Sequence, residues 1–467
     1  MSQLIASGVC ALGILGLFAF ERNRKVRTSW ALWIPTIWVL IASSRFASQW
    51  LVTTVHPENT QRQIDGSPFD ALILSGLIVV AILALVCRQR RVMTILRMNW
   101  PILLFFSYCA VSVLWSDYPD VAFKRWVKTV GDLAMVLVVI TDREPSAAIK
   151  RLLARVGFLL IPLSVLLIEY YPGIGQAYSL EDGVTVYTGV TMNKNTLGLT
   201  CLILGLASLW RLVHLFRNNA HKVRQWAAHG AVLVLTLWLL YMVNSATSLA
   251  CFLLGSALLV ALSLPGARPA RVHLIVMGLV SVAVLTLVLP DVYVYIVQAL
   301  GRNTTLTGRT SLWKALLGMD TNPWFGTGFA SFWLGSRLDK LWSVFSWYPN
   351  EAHNGYLEIF LNLGWIGLVL LTVLLVTGYR NVVSAFRRDP EVGALRLAYF
   401  AVAVAYNFTE AGFRMLDPIW ILFLFAIIAV PEAPIRRDPA NIDMPAEVDR
   451  CSGDLTAVSS HVYEGTT

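Results

Sequence analysis

His353 is the residue of this 467-residue chain best placed to move a proton. An imidazole titrates near neutrality, which makes it the natural general base for a hydroxyl nucleophile. It sits in Ala352-His353-Asn354-Gly355-Tyr356-Leu357-Glu358, where the polar loop 291–354 runs into a hydrophobic helix. Asn354 can orient an imidazole, and Glu358 adds a carboxylate five residues on. The same loop supplies Arg302, Arg309, Lys314, Arg337 and Lys340, while Lys194 and Arg125 close other spans on that side. Guanidinium groups pair bidentately with phosphate oxygens, so these cations fit a diphosphate clamp that stabilises a departing anion without metal. Each feature has a plainer reading: a histidine beside a span can anchor it at the headgroups, and basic residues can touch outer-leaflet lipids. The isolated pair Asp117 and Asp120 lacks the company a divalent-metal site needs, so no metal and no cofactor are expected.

The elements that must position these residues are membrane helices. Hydrophobic residues make up 57% and charged residues 14% of the chain, where a soluble domain carries about a quarter charged residues. The apolar residues come in blocks near the roughly 20 residues that cross a bilayer core. Blocks centre on 4–20, 29–44, 70–87, 100–116, 126–141, 155–171, 196–212, 230–243, 247–264, 273–290, 356–378, 395–410 and 416–431. The expected architecture is therefore all-α and polytopic, with about 12–14 transmembrane helices. Spans fill 1–290 and 355–431, one large structured loop covers 291–354, and the polar tail 432–467 lacks apolar periodicity and reads as disordered. Residues 4–20 lack a basic n-region and read as a retained span.

Orientation follows the basic residues. Twenty-five of the 37 Lys and Arg lie on one side, from Arg22, Arg24, Lys25 and Arg27 through Arg380, Arg387, Arg388 and Arg396 to Arg436, Arg437 and Arg450. That side is cytoplasmic, and the net charge of +9 is a topology signal that gives no support to nucleic-acid binding. The twelve remaining cations, Arg414 among them, face outward with the loop. Of the histidines, only His56 and His353 face out. The six cysteines show no paired spacing in an outer loop, so a disulfide or zinc framework is not expected.

Within the loop, residues 308–317 read as a short amphipathic helix beginning near Thr310 or Ser311. Asn322-Pro323-Trp324-Phe325-Gly326-Thr327-Gly328 is turn-rich. Phe329, Phe332, Trp333, Trp342, Phe345, Trp347 and Tyr348 are either an interfacial belt or a lid with platforms for sugar rings. Gly364 and Gly367, three apart in the following span, read as small residues that allow close helix packing. Among intramembrane carboxylates, which are costly and functional by default, Asp132 is deepest and pairs by spacing with Lys128. Glu358 and Glu410 lie nearer the outer face.

His353-Asn354 followed by Gly364-x-x-Gly367 resembles the motif of the O-antigen ligase and Wzy-type polymerase superfamily. Gly308-Arg309-x-x-x-Trp313, Asn322-Pro323-x-x-Gly326-x-Gly328-x-x-x-Phe332, Trp115-Ser116-x-x-Pro119 with Arg125, and Asn193-Lys194-Asn195-x-x-Gly198 are similar to further signatures, in family order. The resemblance covers roughly 100–430. It implies a membrane glycosyltransferase at the outer face of the bacterial inner membrane. Such proteins move a glycan from undecaprenyl diphosphate to an acceptor hydroxyl, with neither nucleotide sugar nor metal. His353 would then activate the acceptor and Arg309 hold the diphosphate, helped by Lys194 and Arg125. Ligases of the superfamily usually carry a second arginine where this chain reads Asn244-Ser245-Ala246-Thr247-Ser248. That departure is closer to the exopolysaccharide production branch, the succinoglycan-type polymerases. The expected function is therefore polymerisation of lipid-linked repeat units, with O-antigen ligation to lipid A–core as the alternative and a flippase as a third reading. Chain-length-regulating and export proteins are the candidate protein partners.

Overall fold

The computed structural model describes residues 2–21, 28–51, 66–178, 183–218, 222–264 and 309–431. The span expected at 273–290, Arg302, Gly308, His56, the basic run 22–27 and the tail lie outside the described residues. Elsewhere the chain is helical, as the apolar blocks require. Seven of the described helices are long and apolar enough to cross a membrane: Gln3–Glu21, Pro68–Val86, Pro145–Tyr170, Lys194–Arg217, Val223–Val243, Ala246–Ser263 and Gly355–Arg388. An eighth is a pair, Gln89–Met98 and Trp100–Trp115, bent by 88°. The other expected spans fall on Trp33–Ala42, Pro119–Ile140, Pro390–Tyr406 and Pro418–Ile427, which are shorter or more polar. Proline stands in the first turn of several of these helices, where its missing N–H costs nothing. Side chains of Ser67, Asn193, Ser245, Asp389 and Asp417 cap helix starts.

Burial sorts the helices into centre and rim. Gln3–Glu21 buries only Ala6, whereas every residue of Pro418–Ile427 is buried. That inner helix is only about 15 Å long, half of a bilayer core, so its last carbonyls end inside the protein and need donors. Arg396 supplies them, from Nε to the Ala426 carbonyl (2.8 Å) and from Nη2 to that of Ile428. Asn99 donates to the Ala429 carbonyl at 2.9 Å and accepts the Ala429 N–H at 2.8 Å, and Asn381 donates to Ile427 at 3.0 Å.

Gly364 interrupts Gly355–Arg388 with φ 65° and ψ −163°. The backbone groups freed by the break pair with the turn-rich loop. Trp365 and Ile366 N–H donate to the carbonyls of Pro323 (2.9 Å) and Trp324 (3.3 Å), while Thr327 and Gly328 N–H donate to Leu361 (3.1 Å) and Asn362 (2.9 Å). Backbone lies on backbone here. A Cβ on Gly364 would run into the Trp324 carbonyl, and one on Gly326 into the main chain of Asn362. This corrects the expectation of helix-to-helix packing through Gly364: the residue is a break that docks the loop. Asp132 also differs from its expected pairing with Lys128. Its buried carboxylate accepts from Trp38 Nε1 (2.8 Å) and from the Leu416 N–H (3.0 Å), tying the 407–417 loop to the bundle. A two-stranded antiparallel hairpin, Gln176–Tyr178 with Thr185–Tyr187, escapes the sequence pattern because three-residue strands carry too little alternation to register.

Candidate active site

Two loops interlock beside the start of Gly355–Arg388. Asn354 caps that helix, accepting from the N–H groups of Tyr356 (3.0 Å) and Leu357 (2.9 Å), and its amide donates to the Phe408 carbonyl at 3.1 Å. The Gly355 N–H is shared between the carbonyls of Asn407 (2.8 Å) and Glu410 (3.0 Å), at an approach so close that a Cβ would strike the Asn407 side chain. A third segment, the loop helix Arg309–Leu317, packs Leu312 and Leu316 into a small apolar core with Phe332, Trp333, Leu338, Leu341, Ala352 and Leu361. Trp313 Nε1 fastens it to the Ala352 carbonyl at 2.7 Å. These contacts bring Arg309, residues 351–354 and residues 409–414 to one place.

At their junction lies His353, in the left-handed backbone region at φ 48°, a conformation uncommon outside glycine. Its Nδ1 is 3.0 Å from Glu351 Oε1 and 3.2 Å from Glu410 Oε2. Each carboxylate holds an arginine with its other oxygen. Arg309 Nη2 is 2.9 Å from Glu410 Oε1, while its Nη1 donates to the Thr409 carbonyl. Arg414 Nη1 pairs with Glu351 Oε2, and its Nε lies 3.5 Å from Asp417 Oδ2. The result is a continuous chain, Arg309–Glu410–His353–Glu351–Arg414. The Trp347 ring lies 5.9 Å from the imidazole at 33°.

The charges settle one another. Burial works against a charged imidazole, but the Glu351 carboxylate, its hydrogen bond, and Glu410 outweigh it and lift His353 to about 9. Burial likewise works against charge on Glu351, and Arg414 and then His353 overcome it, bringing Glu351 down to about 2. At neutral pH the resting site thus holds an imidazolium, so the free base is the minority form. Glu351, His353 and Glu410 together present ligand atoms within 4.8 Å of one another, close enough to be tested as a metal site. Sequence spacing could not reveal this trio, since Glu410 lies 57 residues beyond His353. The two oxygens of that trio, Glu351 Oε1 and Glu410 Oε2, face the imidazole Nδ1, while the arginines hold the other two, so a cation there would compete with the imidazole for its hydrogen bonds.

Some expected site residues gather here and others do not. His353 and Arg309 meet through Glu410. Asn354 serves as helix cap and loop tie, while the glutamates orient the imidazole; the amide is spent on the N–H groups a helix start must satisfy. Glu358 is occupied too, accepting from Trp333 Nε1 (2.7 Å), the Ala352 N–H (3.1 Å) and Asn362 Nδ2 (3.1 Å), so it clamps the loop to the helix. Arg125 donates to the Ala330 carbonyl in the docked loop. Lys194 opens the helix Lys194–Arg217, and Lys314 lies in the last turn of the loop helix. Neither is part of the ion-pair chain among the described residues. Thr247, in the stretch lacking the expected arginine, hydrogen-bonds Thr409 at 2.9 Å beside Glu410. Sequence reasoning missed Glu351 altogether and left Glu410 and Arg414 unconnected. The available signal was position: Glu351 is two residues before His353, and Glu410 and Arg414 were both assigned to the outer face.

Comparison with known proteins points the same way. Residues 231–372 match the family described as O-antigen ligase. The chain is also 25% identical, over 364 residues, to the exopolysaccharide production protein ExoQ of Rhizobium meliloti (strain 1021), covering 74% of this chain and 80% of that one. Arg309 and His353 fall inside the matched segment; Glu410 and Arg414 lie beyond its end.

Proposed function

We propose that this chain, which carries the O-antigen ligase family region at residues 231–372, is an exopolysaccharide polymerase of the bacterial inner membrane. It would join lipid-linked repeat units at the periplasmic face. The observation that carries the reading is the histidine held between two glutamates and flanked by two arginines, at the helix ends that the distribution of basic residues assigns to the outside. Likeness to an exopolysaccharide production protein supports the product class.

In the proposed reaction a hydroxyl of the acceptor sugar attacks the anomeric carbon of the donor glycan. The new glycosidic bond forms as the bond from that carbon to the diphosphate oxygen breaks, and undecaprenyl diphosphate leaves with the electron pair. The hydroxyl proton passes to His353 when its imidazole is neutral, with Glu351 and Glu410 stabilising the imidazolium formed. Arg309 meets the negative charge that develops on the diphosphate. No step requires a metal.

The O-antigen ligase description of the matched family favours a second acceptor, lipid A–core, for the same chemistry. A deletion strain separates the two. Loss of high-molecular-weight secreted polysaccharide with intact lipopolysaccharide supports polymerase; the converse supports ligase; both products unchanged would overturn the glycosyl-transfer reading.

A further inference from the structure

Resting on the proposed diphosphate-linked donor, the geometry points to Arg414 as a second phosphoryl-binding residue, on the far side of His353 from Arg309. The two arginines are presented differently. The Arg309 side chain is 13% exposed and committed to the Thr409 carbonyl and to Glu410. That of Arg414 is 45% exposed, although its partners Glu351 and Asp417 are 15% and 9% exposed. The Arg414 side chain is therefore the more accessible of the two, and its ion pairs engage Nη1 and Nε.

The loop behind Arg414 is fixed at several points. Asn407 Oδ1 accepts the N–H groups of Gly412 (2.8 Å) and Phe413 (2.9 Å), and the buried Asp132 accepts that of Leu416 (3.0 Å). Leu416 adopts φ 55°, and Asp417 caps the next helix at 3.0 Å. Such anchoring exceeds what a surface ion pair requires. It is what a preorganised anion site requires, because charge held in place costs no rearrangement when the ligand arrives. Glu351 then acts as an internal placeholder: its carboxylate occupies Arg414 at rest and yields one side of the guanidinium to phosphate oxygens. Position does not follow the family match, which ends at residue 372; only the fold brings Arg414 to His353.

The test measures binding of farnesyl diphosphate, with farnesol as the uncharged control, to the full-length protein in nanodiscs. Wild type should prefer the diphosphate, and Arg414→Gln should weaken that binding about tenfold or more, as loss of a charge-assisted pair implies. Glu351→Gln should do the reverse and tighten it by roughly threefold, since the competing internal anion is gone. A merely structural ion pair predicts no tightening. Unchanged diphosphate affinity in a folded Arg414→Gln protein would overturn this inference and leave the diphosphate-donor reading standing on Arg309. If Arg414→Gln fails to fold, Glu351→Gln decides: tighter binding supports the assignment, unchanged or weaker binding overturns it. A wild type with no preference for the diphosphate over farnesol would overturn both.

Discussion

Two clusters of like composition occupy opposite ends of the helices Gly355–Arg388 and Pro390–Tyr406. At the end assigned to the cytoplasm, Glu21 holds Arg211 at 3.1 Å and His229 at 3.3 Å, while Glu391 holds Lys150 and, at 3.1 Å, His214. At the end assigned to the outside, Glu410 and Glu351 hold Arg309, His353 and Arg414. Both are built of carboxylates that bridge a histidine and a strong cation. They differ in backbone. Every inner member sits on a regular helix, whereas His353 is in a left-handed turn and Glu351, Glu410 and Arg414 are on loops. Helix walls hold charges still as structural ties; irregular loops fixed by a rigid scaffold place reactive groups. The same residue types therefore teach little until the backbone that carries them is known.

The sharpest way to break this contrast is to remove one histidine from each cluster. His353→Ala should lower glycosyl transfer about 100-fold or more, the usual loss on removing a general acid–base group. His229→Gln should leave transfer within a few-fold while lowering the melting temperature. Equal catalytic losses would erase the distinction. Next in size, Arg309→Lys should reduce transfer roughly 10- to 100-fold with the charge kept, because one ammonium cannot reproduce the paired contacts to Thr409 and Glu410. Wild-type rates in that variant would remove Arg309 from substrate binding.

At the inner cluster the expected effect is on folding. Arg211→Leu leaves Glu21 with only His229 and should destabilise the protein by about 3 kcal/mol in denaturant melts, with transfer by the remaining folded protein unchanged. Gly364→Ala belongs to the outer region alone: the positive φ and the pressing Trp324 carbonyl should undock the loop and cost about 1–3 kcal/mol, with transfer falling too.

The smallest and most diagnostic effect is pH. With His353 raised to about 9, the rate should climb as pH rises through that value and the base form accumulates. Stability should move oppositely. A raised histidine contributes fully below its ordinary value and loses that contribution as pH rises through about 9, so the melting temperature should fall on the alkaline side. A rate that instead declines through about 9 would make the imidazolium the active form.

The helical class and the loop helix were legible because apolar blocks are local signals, and motif spacing singled out His353 and Arg309, which the structure brings together through Glu410. What escaped was non-local. Glu410 reaches His353 only because residues 353–355 and 407–410 share hydrogen bonds, and Glu358 and Asn354 are consumed by clamping and capping, roles that residue type alone does not disclose. Gly364 was readable as a glycine that matters, but whether it serves a helix neighbour or a docked loop depends on residues 322–328.

The most direct measurement is reconstitution of the purified protein with an undecaprenyl-diphosphate-linked repeat unit, following the length of the lipid-linked glycan. The account predicts lengthening by wild type, with undecaprenyl diphosphate released, and none by folded His353→Ala. Lengthening by His353→Ala at the wild-type rate, or a wild type that leaves the donor unchanged, would contradict it.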